Sequence, residues 1–359
     1  MKSKSFRAGC FLASSISLMF CLASGVVVAQ TPERIDVGAC VSWPPYSVFE
    51  LAEDQGMAPE YDINVSIYED PLGGHAALAT GQIDVFLCTP EYVSYIKARE
   101  LGTSLVTYTD MSYGTDHIVL SPGVDADDVR GGRVAAPEGF VGEILMGVWL
   151  DSVGISPDEV TWVNLNADEA VGPMMAGDLA AAYMYEPWVQ RVLNNLEGSS
   201  VVGTSADEQF LGTGMIGDVI FMNDRFIEER REAAKDLLRV RFEAAEWWSK
   251  NTAEANEQFA EYLGWAVEDV ESIMGTNGKY HKGGMYVLDF DEAASLCGYR
   301  ERANPFDLPQ LSEIAQSLNE WWYRLGRIDE VYDEQAVDCS LIGDLVDDGF
   351  SQSFGRDQG

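Results

Sequence analysis

Between residues 34 and 222, short β-type apolar runs alternate with stretches at helical spacing. Arg34–Val41 reads as a strand, Pro45–Gln55 as a turn and short helix, Ile63–Tyr68 as a second strand, Gly73–Thr80 as a helix and Ile83–Leu87 as a third strand. A helix is expected over Pro90–Leu101, and Tyr113–Ser121 reads as a strand leaving this first unit. A second unit begins with a strand at Arg133–Ala135 and an amphipathic helix at Phe140–Val153. It continues with a strand at Val160–Asn164, a helix at Asp168–Ala176, a strand at Ala180–Tyr185, a helix at Trp188–Leu196 and a strand at Val201–Gly203. Strands alternating with helices require crossover connections and build parallel sheets, so the fold class is α/β with two sheet units. Asp218–Met222 is apolar and β-like and is expected to return to the first unit. Crossing strands near 117–121 and 217–221 would then make a hinge.

Beyond that return the pattern is helical. Arg225–Asn251 carries Phe226, Leu237, Leu238, Val240, Phe242, Ala245 and Trp248 close to a 3.6-residue period, and Ala253–Leu263, Val267–Met274 and Leu308–Leu325 fit further helices. The pairs Trp247-Trp248 and Trp321-Trp322 read as core and helix-packing residues. Gly275–Cys297 and the stretch after Gly326 read as irregular. The expected division is lobe 1 over residues 30–117 plus 222–325, lobe 2 over 118–221, and a C-terminal tail over 326–359.

At the start of the chain, Lys2, Lys4 and Arg7 precede the apolar Phe11, Leu12, Ile16, Leu18, Met19, Phe20 and Leu22, and then Val27-Val28-Ala29 precede Gln30. That order is the one a secretory signal peptide needs, with cleavage near Ala29. A retained anchor is the rival, but Ser14, Ser15, Ser17, Ser24 and Gly25 dilute the apolar run. Neither Cys10 nor Cys21 lies in a lipoprotein cleavage box. No later run of about 18 apolar residues asks for a bilayer. A periplasmic protein without direct membrane insertion is expected, and its remaining 330 residues suffice for two domains.

Charge and cysteines narrow the classes further. The chain has 23 Lys and Arg against 59 Asp and Glu, a net charge of −36. Cleavage removes three basic and no acidic residues, leaving 20 against 59, or −39. Nucleic acid and anionic membrane surfaces are therefore excluded as partners, and a monomer is expected. Such a surface repels itself unless salt screens it, which fits a saline habitat or plain solubility. Cys40, Cys88, Cys297 and Cys339 survive cleavage, and an even count in an oxidising compartment suggests disulfides. A Cys297–Cys339 bridge would tie down the C-terminal segment and constrain the unfolded chain by about 4 kcal/mol. Cys40 and Cys88 fit equally well as small core residues.

Catalytic signatures are missing: the sequence contains no GxSxG, P-loop, HExxH or CxxC. After cleavage its histidines, His75, His117 and His281, are isolated, so neither a metal site nor a cofactor is expected. What recurs is a set of polar-aromatic segments at strand ends, where open α/β sheets place ligands. These are Ser42-Trp43-Pro44-Pro45-Tyr46, Thr89-Pro90-Glu91-Tyr92, Ser112-Tyr113-Gly114-Thr115-Asp116, Ala136-Pro137-Glu138-Gly139 and Tyr183-Met184-Tyr185-Glu186-Pro187-Trp188.

In these segments, with Val37–Tyr46, Ala77–Val85 and Ser112–Val119, the chain resembles the periplasmic substrate-binding proteins of ABC transporters in the nitrate, sulfonate, taurine and thiamine-precursor class. The resemblance spans most of residues 34–222. It implies the two-lobed type II periplasmic-binding-protein fold, with parallel-sheet lobes joined by crossing strands, a small-molecule solute in the cleft, and delivery to an ABC transporter permease. Gly283–Asn304 departs from the family's pattern.

The candidate ligand residues are Trp43, Tyr46, Thr89, Tyr113, Tyr185 and Trp188 beside Glu91, Asp116, Glu138, Glu186 and Asp218, with almost no Arg or Lys nearby. Aromatic faces with carboxylates favour a nitrogenous cation or amide: an amine, a guanidine or urea-like solute, or a pyrimidine. The alternative is a sulfonate, taurine or other anion held by the N–H groups of the helix after Gly139. A zwitterion would use both features. Two rivals use the same fold. An enzyme resembling the pyrimidine synthases should show a cofactor-anchoring lysine and a cysteine-rich segment, yet Lys97 is the lone lysine between residues 30 and 234. A ligand-sensing partner of a receptor needs the same cleft as a transporter component.

Overall fold

The computed structural model describes residues 31–278, 282–301, 306–333 and 335–354. The signal segment 1–29 and His281 lie outside them. The first strands form where the sequence reading expects them, because each carries apolar residues at positions the sheet buries. β1 (Glu33–Ala39) buries Ile35, Val37 and Ala39 completely, between β2 (Tyr61–Ile67) and β3 (Val85–Cys88), and pairs in parallel with both. The crossovers are α1 (Val48–Asp54) and α2 (Pro71–Thr80), and α3 (Tyr92–Arg99) follows β3.

The sheet continues through β4 (Thr103–Tyr113), which the sequence reading missed. Its Thr and Ser residues break the apolar run, yet eight consecutive positions from Leu105 to Ser112 are buried. Thr109 Oγ1 donates to the Asp218 carbonyl at 3.0 Å and Ser112 Oγ to the Asp116 carboxylate, whereas Thr103 Oγ1 is buried without a partner. β10 (Gly217–Asn223) lies antiparallel between β3 and β4, and β11 (Gly284–Val287) completes the order β11-β4-β10-β3-β1-β2. The second sheet comprises β5 (Asp116–Leu120), β6 (Arg133–Ala136), β7 (Thr161–Asn164), β8 (Ala181–Tyr185) and β9 (Ser200–Thr204), in the order β7-β6-β8-β5-β9. Its crossovers include α4 (Val141–Ser152), α5 (Ala167–Ala176) and α6 (Trp188–Asn195). Only β6 pairs in parallel, with β7 and β8, while β5 runs antiparallel to both its neighbours. Both sheets are therefore mixed where fully parallel ones were expected, because each receives the chain back from the other.

Both sheets belong to one compact unit, Pro32–Gly359. The crossings do not fall on the strands expected near 117–121 and 217–221. β5 belongs entirely to the second sheet and β10 entirely to the first. The chain crosses at Gly114–Thr115 and again over residues 205–216. The two crossings are tied together: the Gly114 N–H donates to Ser205 Oγ at 2.9 Å, and Ser112 and Ser205 share a hydroxyl contact at 2.6 Å.

The C-terminal third corrects the sequence reading twice. The region read as the irregular Gly275–Cys297 contains β11 and a helix, Phe290–Leu296, whose Asp289 N-cap accepts from the Glu292 N–H at 2.9 Å. The segment read as a tail from 326 is part of the first lobe. Its helix Ser340–Asp347 packs on the helix Arg231–Lys250 and buries Leu341 and Ile342 completely. Both cysteine pairs are bonded: Cys297 with Cys339, as expected, at a Cα separation of 5.7 Å, and Cys40 with Cys88 at 5.3 Å. The second bond ties the end of β1 to the end of β3, directly below the loops that carry Trp43 and Thr89.

Candidate functional site

A cavity of 40 Å³ lies between the ends of the two sheets. It is lined by Trp43, Tyr46, Thr89, Ser112, Asp218 and neighbours from the first lobe and by Asp116, Phe140, Val141, Tyr183 and Tyr185 from the second. Six of the residues singled out from sequence meet here: Trp43, Tyr46, Thr89, Asp116, Tyr185 and Asp218. Trp43 and Tyr185 touch edge to face across the cleft, with ring centroids 5.8 Å apart.

The two carboxyls stand on opposite lobes. Asp218, on β10, accepts from Trp43 Nε1 at 2.9 Å and from the Tyr46 hydroxyl at 2.6 Å. Its partner across the β10–β4 ladder is Asp110, buried and adjoining the buried Arg241. Burial raises both carboxyls, Asp218 far above the usual carboxylate range, and Asp110 adds its own repulsion to Asp218. Asp116, at the start of β5, accepts from Ser112 Oγ and from the Tyr183 hydroxyl. Burial raises it as well, against those two donors. Ser112 also contacts Ser205, so the Asp116 carboxyl is wired to both crossings. Among the described residues lining the cavity there is no Lys, Arg or His.

The other six residues singled out from sequence lie elsewhere. Glu91 is fully buried behind Thr89, whose hydroxyl donates to Oε1 at 2.7 Å. Tyr113 packs on Phe306 at 5.0 Å. Glu138 is exposed and pairs with Arg327 at 2.6 Å. Gly139, at φ +76°, takes a left-handed conformation that favours glycine, and its N–H donates to Glu143 Oε2 at 2.9 Å. Glu186 faces His117 Nε2 at 3.7 Å and accepts from Gln190 Nε2 at 3.0 Å. Burial depresses that histidine to about 4. Trp188 carries the Arg191 guanidinium over its ring at 4.1 Å. None of these six lines the cavity.

The sequence reading missed Phe140, Val141, Ser112, Tyr183 and Met285. Tyr183 was accessible to it: residues i and i+2 of a strand share a face, so a cleft-facing Tyr185 implies a cleft-facing Tyr183. Gly142 lets α4 approach that ring, since a Cβ there would lie 2.2 Å from a Tyr183 ring carbon. Met285 comes from β11, in a stretch read as irregular.

Two mixed sheets joined by two crossings, with a cavity between their ends, define the two-lobed periplasmic-binding-protein fold. The chain belongs to the NMT1-like family, whose model matches residues 51–264. A relative from Brucella abortus, named provisionally as a binding protein with no ligand specified, is 21% identical over 256 residues, covering 70% of this chain and 78% of its own. The alkanesulfonate-binding protein SsuA from Xanthomonas axonopodis pv. citri bound to MOPS superposes with a TM-score of 0.64 at 16% identity, covering 86% of this chain and 98% of that one. The nitrate-binding protein NrtA from Synechocystis PCC 6803 gives 0.54 at 14% identity, covering 84% and 92%. At these identities the likeness to the solved structures is one of fold.

Proposed function

We propose that this chain is an extracytoplasmic solute-binding protein that captures a small nitrogen-bearing solute between its lobes and hands it to an ABC permease, without transforming it. The observation that carries this reading is the pair Asp116 and Asp218, on opposite lobes, within a wall of Trp43, Tyr46, Phe140, Tyr183 and Tyr185. A cation with N–H groups gains ring attraction and charge-assisted hydrogen bonds there, and closing on it engages one carboxyl from each lobe. The candidate solutes of this chemistry are an amine, a guanidinium or urea-like solute, and a pyrimidine.

The test is calorimetric titration of the mature protein with guanidinium, methylammonium and urea, with product analysis to detect turnover. Asp116→Asn and Asp218→Asn should each weaken cation binding by about tenfold or more, the loss of a charged hydrogen bond. Because burial holds both carboxyls above their ordinary range, they must release protons to pair with a cation. Cation affinity should therefore rise with pH, with proton release visible in buffers of different ionisation enthalpy. Unchanged cation binding in both variants would remove the two carboxyls from the site.

A further inference from the structure

Neighbouring residues of a helix stand about 100° apart around its axis, so the pair Trp321-Trp322 serves two different surfaces. On the helix Leu311–Arg324, Trp322 is completely buried against the first lobe: its Nε1 donates to the Glu91 carbonyl at 2.9 Å, and Tyr95 of α3 packs on its ring at 5.7 Å. Ile314 of the same helix lies against the second crossing, where a Cβ on Gly214 would come within 2.6 Å of it. Beyond the helix the chain returns to the first lobe, with the Leu105 N–H donating to the Ala336 carbonyl at 2.9 Å. Trp321, Arg324 and the adjoining Leu325 share another face and meet α4 of the second lobe. A Cβ on Gly147 would lie 3.2 Å from the Trp321 ring and 3.5 Å from Leu325, so α4 approaches closely there. Arg324 lies over the Trp321 ring at 4.1 Å and pairs with Asp151 of α4. Arg327 pairs with Glu138 at 2.6 Å and donates to Glu143 at 3.0 and 3.1 Å. Those two glutamates bracket Phe140 and Val141, which line the cavity.

We propose that this helix is an arm of the first lobe that clamps the second lobe shut, so that Trp321, Arg324 and Arg327 set solute affinity from outside the cavity. The inference rests on the two-lobed solute-binding reading and deepens it. Because the arm is fixed to the first lobe on both sides of these contacts, opening the cleft draws α4 away from it and parts them. Contacts made only in the closed state raise the closed fraction, and apparent affinity scales with that fraction. The pair Arg324–Asp151 is the part that can be exchanged, since both side chains are partly exposed and neither leaves a buried charge unpaired when its sign changes.

The experiment compares the wild-type chain, Arg324→Glu and the exchanged pair Arg324→Glu/Asp151→Arg at low salt, where exposed charges are least screened. Small-angle X-ray scattering without solute reads the opening of the lobes, calorimetry with guanidinium reads affinity, and circular dichroism verifies the fold. Two facing carboxylates should push the lobes apart, so the radius of gyration of Arg324→Glu should exceed that of wild type. Guanidinium affinity should fall about threefold to tenfold, the combined effect of a lost exposed ion pair and a like-charge contact. The exchanged pair should restore both quantities. A radius of gyration for Arg324→Glu equal to that of wild type overturns the inference, as does unchanged affinity in a chain that binds guanidinium. An exchanged pair that recovers nothing overturns it too. Should wild type bind no guanidinium while the lobes open in Arg324→Glu and close again in the exchanged pair, the cation reading falls and the clamp stands.

Discussion

Replacing Glu91 by Gln should stabilise the protein, and by an amount that depends on pH. Burial raises the Glu91 carboxyl from an ordinary 4.5 to about 8, against the favourable Thr89 hydroxyl and the Val141 N–H. A carboxyl whose folded-state pKa is raised binds its proton more tightly in the native state than in the unfolded one. Native stability therefore falls as pH rises through the window from about 4.5 to about 8, by a factor of ten in the folding equilibrium for each unit. The penalty is fully present above about 8 and gone below about 4.5. Over the whole window it amounts to a few kcal/mol, on the order of 3 to 5. Gln has the same shape and no charge, so the variant escapes the penalty. The assay is urea unfolding of both proteins at pH 5, 7 and 9. All other titrating groups are common to both and cancel in the difference. The advantage of the variant should be smallest at pH 5 and should grow by about 3 kcal/mol by pH 7. A difference that stays flat across that range would show that burial does not hold the Glu91 carboxyl protonated.

Other perturbations read different parts of the same architecture. Arg327→Met leaves the Glu143 side chain, only 3% exposed, without its ion pair. Its cost in urea unfolding should be about 1–3 kcal/mol, below the full penalty of an unpaired buried charge because the arginine is itself partly exposed, and Glu143→Gln in the same chain should recover part of it. The Cys40→Ala/Cys88→Ala double variant opens a loop of sequence separation 48. It should lose about 4 kcal/mol on the loop-entropy account, and an unchanged calorimetric melting point would refute that. Glu186→Gln should leave solute affinity within about twofold, because that carboxyl faces His117. A tenfold loss by calorimetry would return Glu186 to the site.

Local pattern determined more of this protein than its site. The α/β alternation, the two-lobed division and the strand-end loops bearing Trp43, Tyr46, Asp116, Tyr185 and Asp218 were legible, because period and turn chemistry act over a few residues. β4 was not, since Thr and Ser break its apolar run and its burial comes from β10 and β11 paired on either side. The same holds for β11 and for the helix Ser340–Asp347, whose apolar faces make sense only against partners far along the chain. Which carboxyls face the cavity was likewise a tertiary decision. Asp116 and Glu186 both flank aromatic strand ends, but the hydroxyls of Ser112 and Tyr183 hold one toward the cleft, while the loop after β8 turns the other to His117. Composition established an acidic chain with few cations. That Glu143 holds the Gly139 N–H and is itself gripped by Arg327 followed only when packing brought residues far apart in sequence to one place.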